Sequence, residues 1–99
     1  MDDDNQILVP PSFIALFQDG RGRLRTTAAT LRTRYELCED LACQLIEQAQ
    51  QLLHTSAPSE PAVLSALHTA LAHADSGLSP EEAHWVSQRL AELLGWPSI

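Results

Sequence analysis

Residues 27–53, "TAATLRTRYELCEDLACQLIEQAQQLL", decide the fold of this 99-residue chain. Apolar residues recur in this stretch at alternating steps of four and three, a spacing that keeps them on one face of a helix. The stripe that they form consists of Leu31, Tyr35, Cys38, Ala42, Leu45, Ala49 and Leu52. Because the pattern continues without a break from Leu31 to Leu52, we predict one long central helix over residues 27–53.

The end of the chain carries the local signals of a second helix, over residues 80–94. Ser79 stands at the N-terminal cap position, with Pro80 at the first helical residue and Glu82 three residues after the serine. A serine and a glutamate at this spacing form a capping box, in which each side chain accepts from the backbone N–H of the other residue. Gly95 follows the last predicted turn, where glycine commonly ends a helix.

Two further helical segments complete the predicted fold. Apolar residues lie on one face of residues 60–74, which predicts a shorter third helix. A short N-terminal helical turn is predicted over residues 12–17, and residues 1–10 are interpreted as a flexible acidic N-terminal arm. The sequence therefore predicts an all-α fold, a small helical bundle that forms a single domain over residues 1–99.

The long helix is expected to exceed its neighbours in length. At 1.5 Å per residue it extends about 40 Å, whereas each shorter helix reaches about 22 Å. Part of its apolar stripe therefore needs other cover, and the sequence leaves two compatible solutions. The segment "PSFIALF", residues 11–17, folds back over the stripe, or a second copy of the chain covers it in a homodimer.

The chain is acidic, but its positive charges are concentrated in one stretch. Its formal net charge is -7, and five of its six arginines lie within residues 16–34. The negative field disfavours attraction to nucleic acid and to anionic lipid. No apolar run approaches the roughly 20 residues that a membrane-spanning helix needs, and the acidic start is unlike a secretory signal. We therefore expect a cytoplasmic protein with no membrane partner.

The arginine cluster allows two interpretations, and its members are the first candidates for a binding site. In one interpretation the cluster is solvated and internally paired, with Arg32 reaching Glu36 one helical turn later. In the other, the loop "DGRGRLRTT", residues 19–27, leads into a helix N-terminus and presents backbone N–H and guanidinium groups to an anion. An acidic protein segment or a phosphate would fit. The candidates are Arg21, Arg23, Arg25, Arg32 and Arg34.

Trp85 is a candidate contact residue on the last predicted helix. It projects about 130° from the inward apolar stripe, on the side that carries Arg89 and Glu92. We expect its ring to lie partly in water or against another surface, and an exposed aromatic side chain next to arginine often anchors a protein contact. The alternative is that Trp85 packs against the N-terminal arm or residues 11–17 of the same chain. Trp85 and Arg89 complete the set of candidate partner-binding residues.

The sequence lacks the motifs of the common catalytic and metal sites. It contains no lysine and no predicted strand, which excludes a Walker-type phosphate-binding loop. His68 and His73 are five residues apart, whereas zinc-binding pairs on a helix are spaced by three or four. Cys38 lies in the apolar stripe and Cys43 on the outer face, a placement that argues against a catalytic thiol. We therefore predict no enzymatic activity, no metal and no cofactor.

Three stretches occur in an order that resembles a known family: "VPPSFIALF" (residues 9–17), "RYELCEDLA" (34–42) and "EEAHWVSQRLAELLGWP" (81–97). The family consists of small, uncharacterised proteobacterial proteins that are sometimes labelled as an ATPase with chaperone activity. The resemblance spans most of the chain and implies a bacterial protein. Its label implies nucleotide chemistry, and the family supplies no catalytic residues that can be located in this sequence.

Two functional hypotheses follow from the sequence. The first is a non-enzymatic helical protein–protein interaction module, a small adaptor, regulator or chaperone-like protein that forms a homodimer and binds an acidic protein partner. The second is an anion- or nucleic-acid-binding regulator that uses the cluster from Arg21 to Arg34. Salt-insensitive self-association would favour the first hypothesis, and salt-sensitive retention on heparin or RNA would favour the second.

Overall fold

The computed structural model describes residues 9–56 and 59–97, and within these ranges the chain is an all-α helical bundle, as predicted. Four α-helices follow one another along the chain: α1 is Pro11–Ile14, α2 is Ala28–Thr55, α3 is Glu60–Leu71 and α4 is Pro80–Leu94. Short 3₁₀ turns span Ala15–Phe17 and Ala74–Ser76. The long α2 is continuous, which confirms that the stripe of residues 27–53 belongs to a single helix.

The predicted starts of the two main helices agree closely with the structure. Thr27 precedes α2, and its hydroxyl oxygen accepts from the backbone N–H of Thr30 at 3.0 Å. At α4 the predicted capping box is complete: Ser79 Oγ accepts from the N–H of Glu82, and Glu82 Oε1 accepts from the N–H of Ser79. Gly95 ends α4 in the left-handed conformation, at φ 73°. Local capping chemistry therefore fixes both bounds of α4.

Several helix bounds differ from the sequence prediction, and α2, predicted over residues 27–53, spans Ala28–Thr55. The segment predicted to be helical over residues 60–74 ends as α3 at Leu71, because His73 adopts an extended backbone and its ring accepts from the N–H of Asp75. This local contact starts a separate 3₁₀ turn instead of continuing the helix. The turn predicted over residues 12–17 begins one residue earlier, at Pro11, and changes from α-helix to 3₁₀ geometry after Ile14.

Contacts within the chain group it into two units, Met1–Leu37 and Cys38–Ile99, with the boundary inside α2. In the first unit Phe13 is fully buried, and its ring centroid lies 5.5 Å from that of Phe17 and 5.6 Å from that of Tyr35. The segment 11–17 thus packs against the first part of α2, as the fold-back alternative expects. The flexible arm predicted over residues 1–10 falls largely outside the described residues.

The second unit is built on the packing of α3 against α4. Val63 and Leu64 on α3 and Val86 and Leu90 on α4 are fully buried. Burial of each such aliphatic side chain stabilises the folded state by roughly 1.5–3 kcal/mol before the cost of chain ordering. This small core holds the two helices together and fixes the side chains that project from them.

The apolar stripe of α2 is largely shielded within one chain. Its members Leu31, Cys38, Ala42 and Ala49 are buried, and Tyr35, Leu45 and Leu52 are half-buried. Among the described residues, the large apolar side chains that stay exposed are Leu24 and Leu37, at 42% and 41%. The homodimer remains a prediction. In the described ranges, no helix combines the length and the apolar character that crossing a membrane requires.

Candidate functional site

The arginine-rich loop forms a compact turn over residues 18–25, which we call the arginine turn, and Asp19 organises it. One carboxylate oxygen of Asp19, Oδ1, accepts from the backbone N–H groups of Arg21 at 2.8 Å and Arg23 at 3.0 Å. The backbone carbonyl of Asp19 also accepts from Gly22, and its N–H donates to the carbonyl of Arg23. Gly22 adopts φ 81°, a conformation that side chains disfavour, so the tight reversal depends on glycine here.

The base of the arginine turn is closed by contacts with the preceding helical segment. Gln18 and Leu24 form an isolated antiparallel bridge. The backbone N–H of Arg25 donates to the carbonyl of Phe17 at 2.7 Å, and its guanidinium donates to the carbonyl of Leu16 at 2.8 Å. Arg25 therefore stabilises the turn through these hydrogen bonds, whereas the sequence pattern predicts it as a candidate ligand-binding residue.

The hydrogen bonds in the turn also set the charge of Asp19. The N–H groups of Arg21 and Arg23 hold the pKa of Asp19 below its ordinary value, and the nearby charge of Arg25 lowers it further. Hydrogen bonds to the charged form of a carboxyl group favour that form. The carboxylate is therefore ionised near neutral pH, and it keeps both amide hydrogen bonds.

Arg21 and Arg23 project from the turn with their charged groups available. Both residues are exposed, and their guanidinium groups make no hydrogen bond or ion pair with any residue that the structure describes. Leu24, also exposed, follows Arg23 directly. The arginine turn thus presents two positive groups and one apolar side chain on a backbone that is held by its own hydrogen bonds.

The two arginines at the start of α2 belong to a different environment. Arg32 and Arg34 are half-buried. The ion pair predicted between Arg32 and Glu36 is not formed within residues 9–56. The structure also places Arg34 in an interaction with another group of the protein. The predicted site of five arginines is therefore reduced to Arg21 and Arg23, which share one turn and have exposed guanidinium groups.

Arg89, the sixth arginine, holds α4 against α2 instead of facing a partner. Its Nε donates to Glu39 Oε1 at 2.9 Å and its Nη2 donates to Glu39 Oε2 at 3.0 Å, which is a two-point ion pair across the helices. Nη1 donates to Glu92 on the same helix at 3.0 Å. The hydrogen bond to Glu39 raises the pKa of Arg89 above its ordinary value, with a smaller contribution from Glu92. The prediction that Arg89 binds a partner has no support from this arrangement.

Trp85 is only 6% exposed, which excludes the interpretation that its ring lies partly in water and leaves the one in which it packs within the protein. Helix α4 buries Glu82, Ala83, Trp85, Val86, Ser87, Leu90 and Ala91. At 100° per residue these positions cover an arc of about 240°, far wider than a single apolar stripe. The apolar spacing predicts one buried face, whereas α4 packs on α3 and also meets α2 through the pair of Arg89 with Glu39. Trp85 lies on the same side of α4 as Arg89, one helical turn before it.

Two cysteines and four histidines are the remaining side chains with nucleophilic or metal-binding groups. Cys38 is buried and Cys43 is exposed, as the helical pattern predicts, and neither forms a disulfide. Within the two described ranges, no group of three or more histidine, cysteine, aspartate or glutamate side chains is placed to hold a metal ion. The structure does bring His68 and His84 into ring contact, a pair that sequence spacing could not identify.

Comparisons with protein-family models, curated proteins and solved structures find no match for this chain. The arginine turn is therefore the candidate site on the strength of its own geometry.

Proposed function

We propose that the protein is a non-enzymatic helical interaction module of the bacterial cytoplasm, and that its arginine turn binds acidic segments of partner proteins. The observation that carries this proposal is the exposed pair Arg21 and Arg23 on a turn whose backbone is fixed by Asp19. Cys38 and Cys43 form no disulfide bond, which supports a reducing compartment.

The distribution of positive charge supports the choice of this surface. Arg25 and Arg89 are committed to hydrogen bonds inside the protein, and Arg34 also has a contact. The chain has a formal net charge of -7, and within the described ranges Arg21 and Arg23 are the exposed arginines whose guanidinium groups make no hydrogen bond or ion pair. Arg21 and Arg23 therefore form a local positive surface, which attracts a carboxylate-rich segment over the short range allowed by ionic screening.

The internal hydrogen bonds of the turn support binding at this surface. A loop that must be ordered on association loses part of the interaction energy to conformational entropy. Here the Asp19 carboxylate and the closing bond from Arg25 to Leu16 hold the backbone in place without a ligand. The neighbouring Leu24 gives an acidic partner an apolar contact beside the charges.

The proposal is tested by measuring fluorescence anisotropy with a labelled peptide of alternating glutamate and leucine. An exposed guanidinium–carboxylate contact is worth up to about 1 kcal/mol, so removing two of them weakens binding by roughly tenfold. We expect this loss in the double variant Arg21→Ala/Arg23→Ala. Raising the salt concentration should weaken binding of the wild-type protein but change the variant much less.

Arg32→Glu serves as the matched control. Both variants change the formal net charge from -7 to -9, because Arg32→Glu replaces a positive charge with a negative one and the double alanine variant removes two positive charges. A turn-specific site predicts that Arg32→Glu weakens the peptide complex less than about twofold, since the arginine lies outside the turn. Equal losses in the two variants would reject the turn as the binding site. Tighter binding of single-stranded RNA than of the peptide, near physiological salt, would support the anion-binding alternative instead.

Self-association is a separable part of the proposal, and the half-buried part of the α2 stripe supports it. Sedimentation at several concentrations measures it directly. If a second copy covers the stripe, Leu45→Glu should give a folded monomer or unfold the protein. A variant that stays folded and dimeric would place the contact elsewhere.

A further inference from the structure

His68 and His84 form a side-chain pair that joins two helices outside the arginine turn. His68 lies in the last turn of α3, and His84 lies in the second turn of α4. Their ring centroids are 5.8 Å apart and the ring planes meet at 70°. Because the buried packing of α3 on α4 fixes the two backbones, the imidazole groups are held near each other without a direct hydrogen bond.

The imidazole nitrogens of this pair are accessible and uncommitted. His84 is exposed and His68 is half-buried, and no hydrogen bond joins either ring to the residues in ranges 9–56 and 59–97. A neutral imidazole is a common ligand of zinc, nickel and copper ions. Two such groups on different helices have the freedom to turn toward one ion, because a shared hydrogen bond does not restrain them.

The separation of the rings fits shared coordination. An ion at 2.0–2.1 Å from one nitrogen of each ring, with tetrahedral angles, places the two imidazole centroids about 5 Å apart. The observed 5.8 Å is close enough to be adjusted by small side-chain rotations. We propose that His68 and His84 form a two-imidazole site for a divalent transition-metal ion of the zinc and nickel class, with water completing the coordination. A metal bound there links the end of α3 to the start of α4.

His73 and Cys43 are poorer ligands than this pair. The Nδ1 atom of His73 already accepts from the N–H of Asp75 at 3.2 Å, which leaves a single nitrogen on an exposed turn. Cys43 is an exposed thiol without a disulfide partner. Each therefore offers at most one donor group, whereas the pair across α3 and α4 offers two and gains the chelate advantage of fixed proximity.

The experiment is thermal unfolding of the full chain, followed by circular dichroism, with and without NiCl₂ or ZnCl₂. Because a bound metal stabilises the folded state by mass action, a Kd near 0.1 mM predicts a roughly tenfold shift in the folding equilibrium at 1 mM metal, or about 5–10 °C in Tm. His68→Gln and His84→Gln should each remove most of this shift. His73→Gln and Cys43→Ser are the matched controls and should keep it.

A second measurement does not depend on the stability of the variants. Paramagnetic Ni²⁺ added to the wild-type protein should broaden the imidazole NMR signals of His68 and His84 before those of His73 and His54. The proposal is overturned if the four histidines broaden together, or if His84→Gln, with unchanged helicity, binds metal as tightly as the wild type.

Discussion

The ion pair of Arg89 with Glu39 should stabilise the protein more than the ion pair of Arg89 with Glu92, and a double-mutant cycle measures the first contribution. The side chains of Arg89 and Glu39 retain only 33% and 23% exposure and join two helices at two points, whereas Glu92 is 69% exposed. Exposed ion pairs contribute about 0.2–1 kcal/mol, and hydrogen bonds to charged groups with less solvent about 1.5–3 kcal/mol. For this partly shielded pair we expect a coupling energy of about 1–2 kcal/mol.

The cycle uses Arg89→Met, Glu39→Gln and the double variant, because methionine keeps much of the packing volume and glutamine removes only the charge. Unfolding in urea, followed by circular dichroism and by tryptophan fluorescence, to which the buried Trp85 and the half-buried Trp96 contribute, gives the free energy of unfolding of each protein. In a chain of this length, each lost kcal/mol lowers Tm by about 4–8 °C.

Glu92→Gln is the matched control for the cycle, since it breaks only the exposed contact within α4. The expected cost is no more than about 0.5 kcal/mol. A coupling energy between residues 39 and 89 below about 0.3 kcal/mol, or an equal cost for Glu39→Gln and Glu92→Gln, would refute the assignment of Arg89 as the link between α2 and α4.

Three further predictions concern the first unit and the cap of α4. Phe13→Ala should lower the free energy of unfolding by about 3–5 kcal/mol, because a fully buried ring leaves a cavity; a loss below about 1 kcal/mol in urea unfolding would contradict this. The amide NMR signals of the arginine turn should titrate with a midpoint below the ordinary aspartate pKa of about 3.9. Because folding lowers the pKa of Asp19, its ionised carboxylate stabilises the folded protein above that ordinary pKa, and this stabilisation is lost as the pH falls through the folded pKa. A midpoint above about 3.9, or a titration that persists in Asp19→Asn, would exclude this cause. Ser79→Ala should cost about 0.5–2 kcal/mol and reduce amide-exchange protection in the first turn of α4, and unchanged protection there would mean that the cap is dispensable.

The main helices were predictable because their signals are local. The apolar repeat of α2 and the capping box of α4 depend on residues within a few positions of each other. The end of α3 was not predictable from apolar spacing alone, because the ring of His73 accepts from the N–H of Asp75 and starts a separate turn. Helix ends are decided by such single contacts, and periodicity does not report them.

The candidate site was only partly predictable, because the sequence does not show which charged side chains form hydrogen bonds or ion pairs within the protein. Arg25 reaches the carbonyl of Leu16, nine residues back, and Arg89 reaches Glu39, fifty residues back. The burial of Trp85 has a similar origin, since α4 meets two other helices. The partnership of His68 with His84 likewise depends on the packing of α3 against α4, which no spacing rule within one helix describes.

The arginine turn closes entirely through bonds between residues that are at most nine positions apart in the chain, from Leu16 to Arg25. The hydrogen bonds that hold this loop therefore lie within one short segment of the chain. Transplanted into a short cyclic peptide, it should retain the backbone reversal that carries Arg21 and Arg23, so this recognition element can be isolated from the helices and studied on its own.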